Sequence, residues 1–487
     1  MFGDYVFEKS AGQYKKKICL IDSDDLEAKA RYSSVFQTHG FRVVHYIDDL
    51  TFRVNYSALL DSNEQKVVII AAPDCYIPYD VLEKCYVCKL SYKFLFPNLN
   101  DMVLREQSEL NIELLTLAYQ RDFENHTERK DTETFLRLKM YSTEIIKSYL
   151  QQQYKEVLSL ILSNTSYQTW LRVAELKANI DLLAAKQGVL FDTSEINRLF
   201  CSYAMRNFGK LSSEINQDTP VLVSRVMDFI HDRSDKFVLI VMDGMSEFDW
   251  AILKHSFNDI PYNQEAVFAM IPSTTSVSRQ CLLSGKYPSQ LMEPWKQSKE
   301  KAEFTECAKK LGFKDSQIGY ARGYNAEFSP FVKCGAVIVL DIDDLVHAQY
   351  QGRVGMLNDD TVLMEQNKLS ETVKRFLKQG YDVYISADHG NTPSVGLGRL
   401  MGAGLETETK SHKMVVLKGF ANKANLIEKY GLLEYPKYYL PKEYDYLICN
   451  VGESLDIKGE EVMTHGGISL DEVVVPFISI RAEDYNG

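Results

Sequence analysis

No stretch of the chain approaches the roughly 18 consecutive apolar residues that span a bilayer. The opening MFGDYVFEKSAGQYKKK also lacks the apolar core of a secretion signal. A membrane protein and an exported precursor are therefore set aside, and a cytoplasmic protein is expected. Positive charge is short as well: 55 Lys and Arg stand against 67 Asp and Glu, a formal charge of −12. A protein that coats nucleic acid is normally basic, so any contact with DNA or RNA would have to come from a local patch. The nine cysteines are too sparse over 487 residues to form a disulfide framework. Cys85 and Cys88 make the one C-x-x-C, and without a second ligand pair nearby they read as core thiols. Internal repeats and low-complexity tracts are absent.

Proline and glycine are missing from the whole interval between Pro97 and Gly188. Leu138, Tyr141, Ile145 and Tyr149 recur there at spacings of three and four, one stripe of a helix, so the interval is predicted to be a helical bundle. On both sides the pattern changes to short β-branched runs that end in Asp, Gly or Pro. KICLIDSDD (17–25), FRVVHYIDD (41–49) and VVIIAAPD (67–74) come before it; FVLIVMDG (237–244), AVIVLDIDD (336–344) and DVYISADHG (382–390) come after it. Runs this short and apolar, separated by helical lengths, predict strands of a mostly parallel sheet covered on both faces.

The expected organisation is α/β, with a smaller N-terminal α/β domain over 1–100, a helical domain over 101–232 and a larger α/β domain over 233–487. Asp22, Asp24 and Asp25 after the first strand invite comparison with receiver domains, whose carboxylates hold Mg²⁺. Asp and Ser at strand ends also cap the next helix, and that structural use is the stronger expectation.

In open α/β sheets ligands bind beyond the carboxyl ends of the strands. Polar residues that directly follow apolar runs are therefore the candidates for chemistry: Asp243 after FVLIVM, the hydroxyl cluster IPSTTSVSRQCLLSGKYPS (271–289) after AVFAM, Asp343 and His347 after AVIVLDI, Asp388 and His389 after VYISA, and His465 in THGG. Each has an ordinary alternative. Asp-Gly after a strand makes turns, an Asp and a His four apart on a helix can simply pair, and Thr before a helix can be its cap. Their joint occurrence at strand exits is what points to chemistry, because imidazole with carboxylate suits Zn²⁺ and the ligands suffice for two ions. A Thr at a helix start beside a metal becomes a nucleophile, and helix N–H groups there stabilise a phosphate. Arg279 follows Thr275 by one turn and is a candidate to grip phosphate oxygens.

This order of motifs, Asp-Gly, P-x-x-T, D-x-x-x-H, D-H-G and a late H-G, resembles the alkaline phosphatase superfamily, and within it PglZ-type proteins. The carrying segments are VLIVMDGMS (238–246), PSTTSVSRQCLLSGKYPS (272–289), IDDLVH (342–347), ADHG (387–390) and HGGISLDEVVVP (465–476). LTFRVNY (50–56), IPYDVLEK (77–84) and LFPNL (95–99) resemble the leading region of some PglZ proteins.

The resemblance implies an alkaline-phosphatase-like sheet and a zinc-dependent phosphatase or phosphodiesterase, with Mn²⁺ or Mg²⁺ as alternative metals. One ion would be held by Asp243, Asp388, His389 and the nucleophile Thr275, and the other by Asp343, His347 and His465. Thr274 is the alternative nucleophile, and Asp344 the alternative to Asp343. Implied partners are a phosphate-ester substrate, with nucleotides and nucleic acids among the candidates, and other components of bacteriophage-exclusion (BREX) defence such as a DNA methyltransferase or ATPase. The competing expectation is a non-catalytic scaffold of such a complex that keeps the phosphatase fold.

Overall fold

In the computed structural model, which describes residues 1–107, 110–122, 124–400, 413–419 and 423–485, each of the six apolar runs forms a strand. The chain divides into two compact units, Met1–Gln151 and Gln152–Gly487. Their boundary falls inside the helix Thr143–Ser163. The helical interval expected over 101–232 is thus shared between the two units. Among the described residues no helix is long and apolar enough to cross a membrane.

In the first unit, β1 (Lys17–Asp22), β2 (Phe41–Tyr46), β3 (Lys66–Ala71) and β4 (Tyr86–Leu90) form a parallel sheet in the order β2-β3-β1-β4. That order differs from the 2-1-3-4-5 arrangement of receiver domains. Asp22 and Asp24, at the carboxyl end of β1, are taken up by backbone amides and an arginine. Asp22 accepts from the amides of Leu26 and Glu27 at 2.9 and 2.8 Å, and Asp24 accepts from Tyr92 N and from Arg105 Nε, each at 2.7 Å. Cys85 and Cys88 are free thiols, and burial pushes both up to about 11, away from the thiolate that redox work requires.

The interval without glycine or proline is largely helical, but its apolar stripe is not continuous. A π-helical stretch at Phe135–Met140 takes up an extra residue per turn and shifts the phase before Thr143–Ser163 begins. Leu138 is consequently 58% exposed, while Ile145, Ile146 and Leu150 are buried.

The second unit is built on β5 (Phe237–Met242), β6 (Asn263–Phe268), β7 (Ile318–Arg322), β8 (Cys334–Val339) and β9 (Asp382–Ser386). Two three-stranded sheets follow, ordered β14-β10-β15 and β11-β13-β12, from β10 (Thr392–Gly396), β11 (Met414–Leu417), β12 (Leu433–Glu434), β13 (Asp445–Ile448), β14 (Glu453–Ser454) and β15 (Glu461–Thr464). The last strand, β16 (Val474–Ile480), then returns to the main sheet, giving the order β6-β16-β9-β5-β8-β7. Pairs β9-β5, β5-β8 and β8-β7 are parallel, and β16 is antiparallel to both its neighbours. The mostly parallel α/β sheet expected from the apolar runs is present. β5 and β8 are buried at every position, as strands covered on both faces must be.

Candidate active site

One edge of the main sheet collects the chemistry. The parallel strands β5, β8 and β9 deliver Asp243, the helix Asp341–Ala348 and the Asp388-His389 pair just beyond their carboxyl ends. β6 ends at the same edge, because its last residue, Phe268, pairs with the first residue of β16, Val474. Since β16 runs the other way, a residue shortly before it also lies at this edge, and that residue is His465. Gly244 turns the chain away from β5 at φ +75°, a conformation that L side chains rarely adopt.

His389 and His465 stack with ring centroids 4.0 Å apart. His389 Nδ1–H donates to the carbonyl of Gly390 at 3.0 Å, and His465 Nδ1–H donates to the carbonyl of Ser273 at 3.1 Å. A carbonyl can only accept, so each Nδ1 carries its proton and each Nε2 is turned to the site. His389 Nε2 lies 3.0 Å from Thr275 Oγ1, 3.5 Å from Asp243 Oδ1 and 3.7 Å from Asp388 Oδ2. His465 Nε2 lies 3.3 Å from Asp343 Oδ1 and 3.4 Å from His347 Nε2, and His347 Nε2 is 3.4 Å from Asp343 Oδ2. The structure therefore brings together all seven residues expected to hold metal, in two adjoining groups. Asp343 contacts both histidines, whereas Asp344 only lines the cavity.

These groups fit divalent cations. Asp243 Oδ1, Asp343 Oδ1 and Asp388 Oδ2 are buried without a hydrogen-bond partner. Ligand atoms of Asp243, Asp388 and His389 lie within 4.8 Å of one another, as do those of Asp343, His389 and His465. Acceptor atoms buried face to face repel unless positive charge enters between them.

The electrostatics record that strain. Burial, and then the neighbouring Asp243 charge, hold Asp388 well above the usual carboxylate range. Burial likewise raises Asp243, against the lowering effect of Arg279. His389 is pushed well down by burial and by His465. Burial opposes charge on Asp343 and His465 too, but the imidazoles of His347 and then His465 outweigh it and lower Asp343, while the Asp343 carboxylate raises His465. A cation at this point would displace the proton that Asp343 draws onto His465.

A cavity of about 170 Å³ opens over the two groups, and its lining includes Asp243, Thr274, Thr275, Trp295, Gln297 and Asp343. Thr275 is the first residue of the helix Thr275–Ser284, and Thr274 is its N-cap residue. The Oγ1 of Thr274 is buried without a partner, so the contact to His389 distinguishes Thr275. Arg279, expected to grip phosphate oxygens, is not among the residues that line the cavity. Its side chain is 0% exposed and donates to Asp243 Oδ2 and, from Nε at 2.7 Å, to Glu300. A guanidinium buried one turn down the helix needs anionic partners, and the carboxylates supply them. Lys286 and Arg322 are likewise paired, with Glu303 and Glu300. Among the described residues no Lys or Arg lines the cavity.

Sequence reasoning did not find Trp295 and Gln297, which fall in an irregular stretch with no motif around them. It also missed the residues that brace the site. Asn391 Nδ2 donates to the Gly244 carbonyl at 2.9 Å and to Asp249 at 2.6 Å, joining the loops after β5 and β9. Ser273 Oγ accepts from Gly466 N at 3.0 Å and donates to the Gly467 carbonyl at 3.1 Å, fixing the loop of His465. Position directly after D-H-G was the one signal for Asn391.

No family model matches the chain, and no curated protein matches it by sequence. Among solved structures it is similar to murine ectonucleotide pyrophosphatase/phosphodiesterase 5, at 10% identity and a TM-score of 0.37 over 50% of this chain and 88% of that one. The human ectonucleotide pyrophosphatase/phosphodiesterase 5 gives 13% and 0.37, over 51% and 89%. Phosphonoacetate hydrolase from Sinorhizobium meliloti 1021, in complex with phosphonoformate, gives 11% and 0.34, over 51% and 90%. Likeness at this level assigns no activity to the chain.

Proposed function

We propose that the chain is a divalent-metal-dependent phosphoric ester hydrolase with Thr275 as nucleophile, of PglZ type within the alkaline phosphatase superfamily. The observation that carries it is the convergence of three unpartnered buried carboxylate oxygens and two inward-turned Nε2 atoms beneath the Thr275 hydroxyl. Asp243, Asp388 and His389, with Thr275, would hold one ion, and Asp343, His347 and His465 the other. Mixed imidazole and carboxylate ligands favour Zn²⁺, with Mn²⁺ or Mg²⁺ as alternatives. When bound, two such ions supply positive charge to the attacking and departing oxygens of an in-line displacement.

The protein's own groups do the rest. Thr275 Oγ forms a bond to phosphorus as the bond to the leaving-group oxygen breaks, and water then cleaves the phosphothreonine, regenerating the hydroxyl. The amino end of the 10-residue helix Thr275–Ser284 would turn its first amides toward a bound phosphate. A dianionic monoester would call for cationic side chains in the cavity, and none lines it among the described residues, which favours diesters. The PglZ-like motifs support a place in bacteriophage exclusion alongside methyltransferase or ATPase partners.

The test is metal analysis of protein purified without chelator, joined to assays on chromogenic mono- and diesters. About two equivalents of divalent metal per chain are expected, with diester cleavage lost in Thr275→Ala and in Asp388→Ala. Protein that holds no metal and cannot be loaded with any would refute the reading.

A further inference from the structure

Asp388 and Asp243 are presented to the cation site in the same way. Asp388 Oδ1 accepts from Gly244 N at 3.3 Å and His389 N at 3.2 Å, leaving Oδ2 bare; Asp243 Oδ2 accepts from Arg279 Nη1, leaving Oδ1 bare. Backbone amides thus orient one carboxylate and a side chain orients the other. Arg279 is itself fixed from behind, because Glu300 accepts from its Nε at 2.7 Å, and Glu300 accepts in turn from Tyr320 OH at 2.6 Å and from Arg322. Charges alternate along Asp243, Arg279, Glu300 and Arg322, from a residue 2% exposed to one whose side chain is 54% exposed.

We propose that Arg279 is a positioning residue for the cation held by Asp243, Asp388 and His389, and that Glu300 sets the charge this cation meets. The proposal rests on the metal-holding reading of the site. The planar fork donates to Asp243 from Nη1 and to Glu300 from Nε, two donors held at a fixed spacing that the single ammonium nitrogen of a lysine does not have. The fork turns Asp243 Oδ1 toward His389 Nε2, 3.5 Å away. Its positive charge bears on both ligand carboxylates, since Nη1 donates to Asp243 Oδ2 and lies 3.6 Å from Asp388 Oδ2, and Glu300 compensates for Arg279 from the far side. Neutralising Glu300 therefore leaves the arginine's charge opposing the dication, while replacing Arg279 frees Asp243 to turn. The remaining nitrogen, Nη2, has no partner, so contact with a substrate oxygen is the rival role to be separated by experiment.

Co²⁺ titration of the full chain, followed by calorimetry and by the visible spectrum of the bound ion, makes that separation. Partners that orient metal ligands are worth about 10- to 100-fold in affinity. In Arg279→Met and Arg279→Lys, one of two Co²⁺ equivalents should weaken by about that factor while the other, at Asp343, His347 and His465, is unchanged. Glu300→Gln keeps shape and acceptor and remains informative if the arginine variants fail to fold; it should weaken the same equivalent about tenfold, with inhibition by inorganic phosphate unaltered. Wild-type affinity for both ions in Glu300→Gln or in folded Arg279→Met, with weaker phosphate inhibition in the latter, would overturn the proposal in favour of substrate contact. Wild-type protein that binds no Co²⁺ would instead remove the metal reading, and this role with it.

Discussion

Thr275 Oγ1 and His389 Nε2 lie 3.0 Å apart although 114 residues separate them along the chain. That contact selects one hydroxyl from a run of Ser and Thr. Thr275→Ala should lower diester hydrolysis by about 10³-fold or more, with the ion at Asp243, Asp388 and His389 held less tightly and the ion at Asp343, His347 and His465 retained. Thr274→Ala should retain most of the activity. The reverse ranking in a steady-state assay would move the nucleophile by one residue.

Ser273 reaches His465 only through the backbone, yet it ties down both glycines that follow it. Ser273→Ala leaves two backbone groups without their partner and should cost about 1–3 kcal/mol in urea denaturation. Weaker metal binding should accompany that loss, because the His465 ring is aimed from the same loop. Unchanged metal affinity would show that the Nδ1 contact alone orients the ring.

Gly390 follows His389 directly, and a Cβ at this position would collide with the carbonyl oxygen of Asp471 and press on Ser246. Backbone cannot yield as a side-chain tip can. Gly390→Ala is therefore expected to lose about 3 kcal/mol or more by overpacking, and to lose activity even where it folds. A melting temperature equal to wild type would contradict that close approach.

Glu247 is buried at the start of the helix Glu247–Leu253, and desolvation, then the nearby Glu175, raise its carboxyl to about 8. Its ordinary value is 4.5, so across the interval between 4.5 and about 8 the folded protein retains a proton that the unfolded chain has released. The associated stability is complete below the lower value and is lost as pH rises through the upper, by at most ~1.4 kcal/mol per pH unit. Glu247→Gln should flatten this slope, gaining on wild type at pH 8 relative to pH 5. Parallel denaturation profiles for the two proteins would mean that Glu247 is charged at neutral pH.

Chelation offers a test that needs no substrate. Cations at a hundredfold excess over Kd add about 2.7 kcal/mol to the folded state, so metal-free protein should melt lower and recover when Zn²⁺ is returned. No shift in either direction would show that the site holds nothing.

Much of this site was legible because parallel strands leave a signature that survives in one dimension. Asp243, Asp343 and Asp388 each follow a short apolar run, and such runs end at a common edge whatever joins them. His465 precedes its strand, and its place was legible only through the motif; the geometric reason is the reversed direction of β16. The carboxylates around Arg279 were not legible, because helical spacing gives the turn on which a side chain lies and not what lies beneath it. Glu300, which claims the guanidinium, is 21 residues away. The stripe from Leu138 to Tyr149 failed differently, since an irregular turn slips the period without changing the composition. The division into two bodies was invisible for a related reason: it runs through the middle of a helix, where no proline or glycine marks it.

The reversed last strand also orders events during synthesis. β6 joins the main sheet only through β16, and the loop carrying His465 precedes that strand by a few residues. While a ribosome is still translating the preceding 200 or so residues, β6 has no place in the sheet and the second histidine of the stacked pair does not exist. Emergence of β16 gives β6 its partner in the sheet soon after the second histidine of the stacked pair has been made.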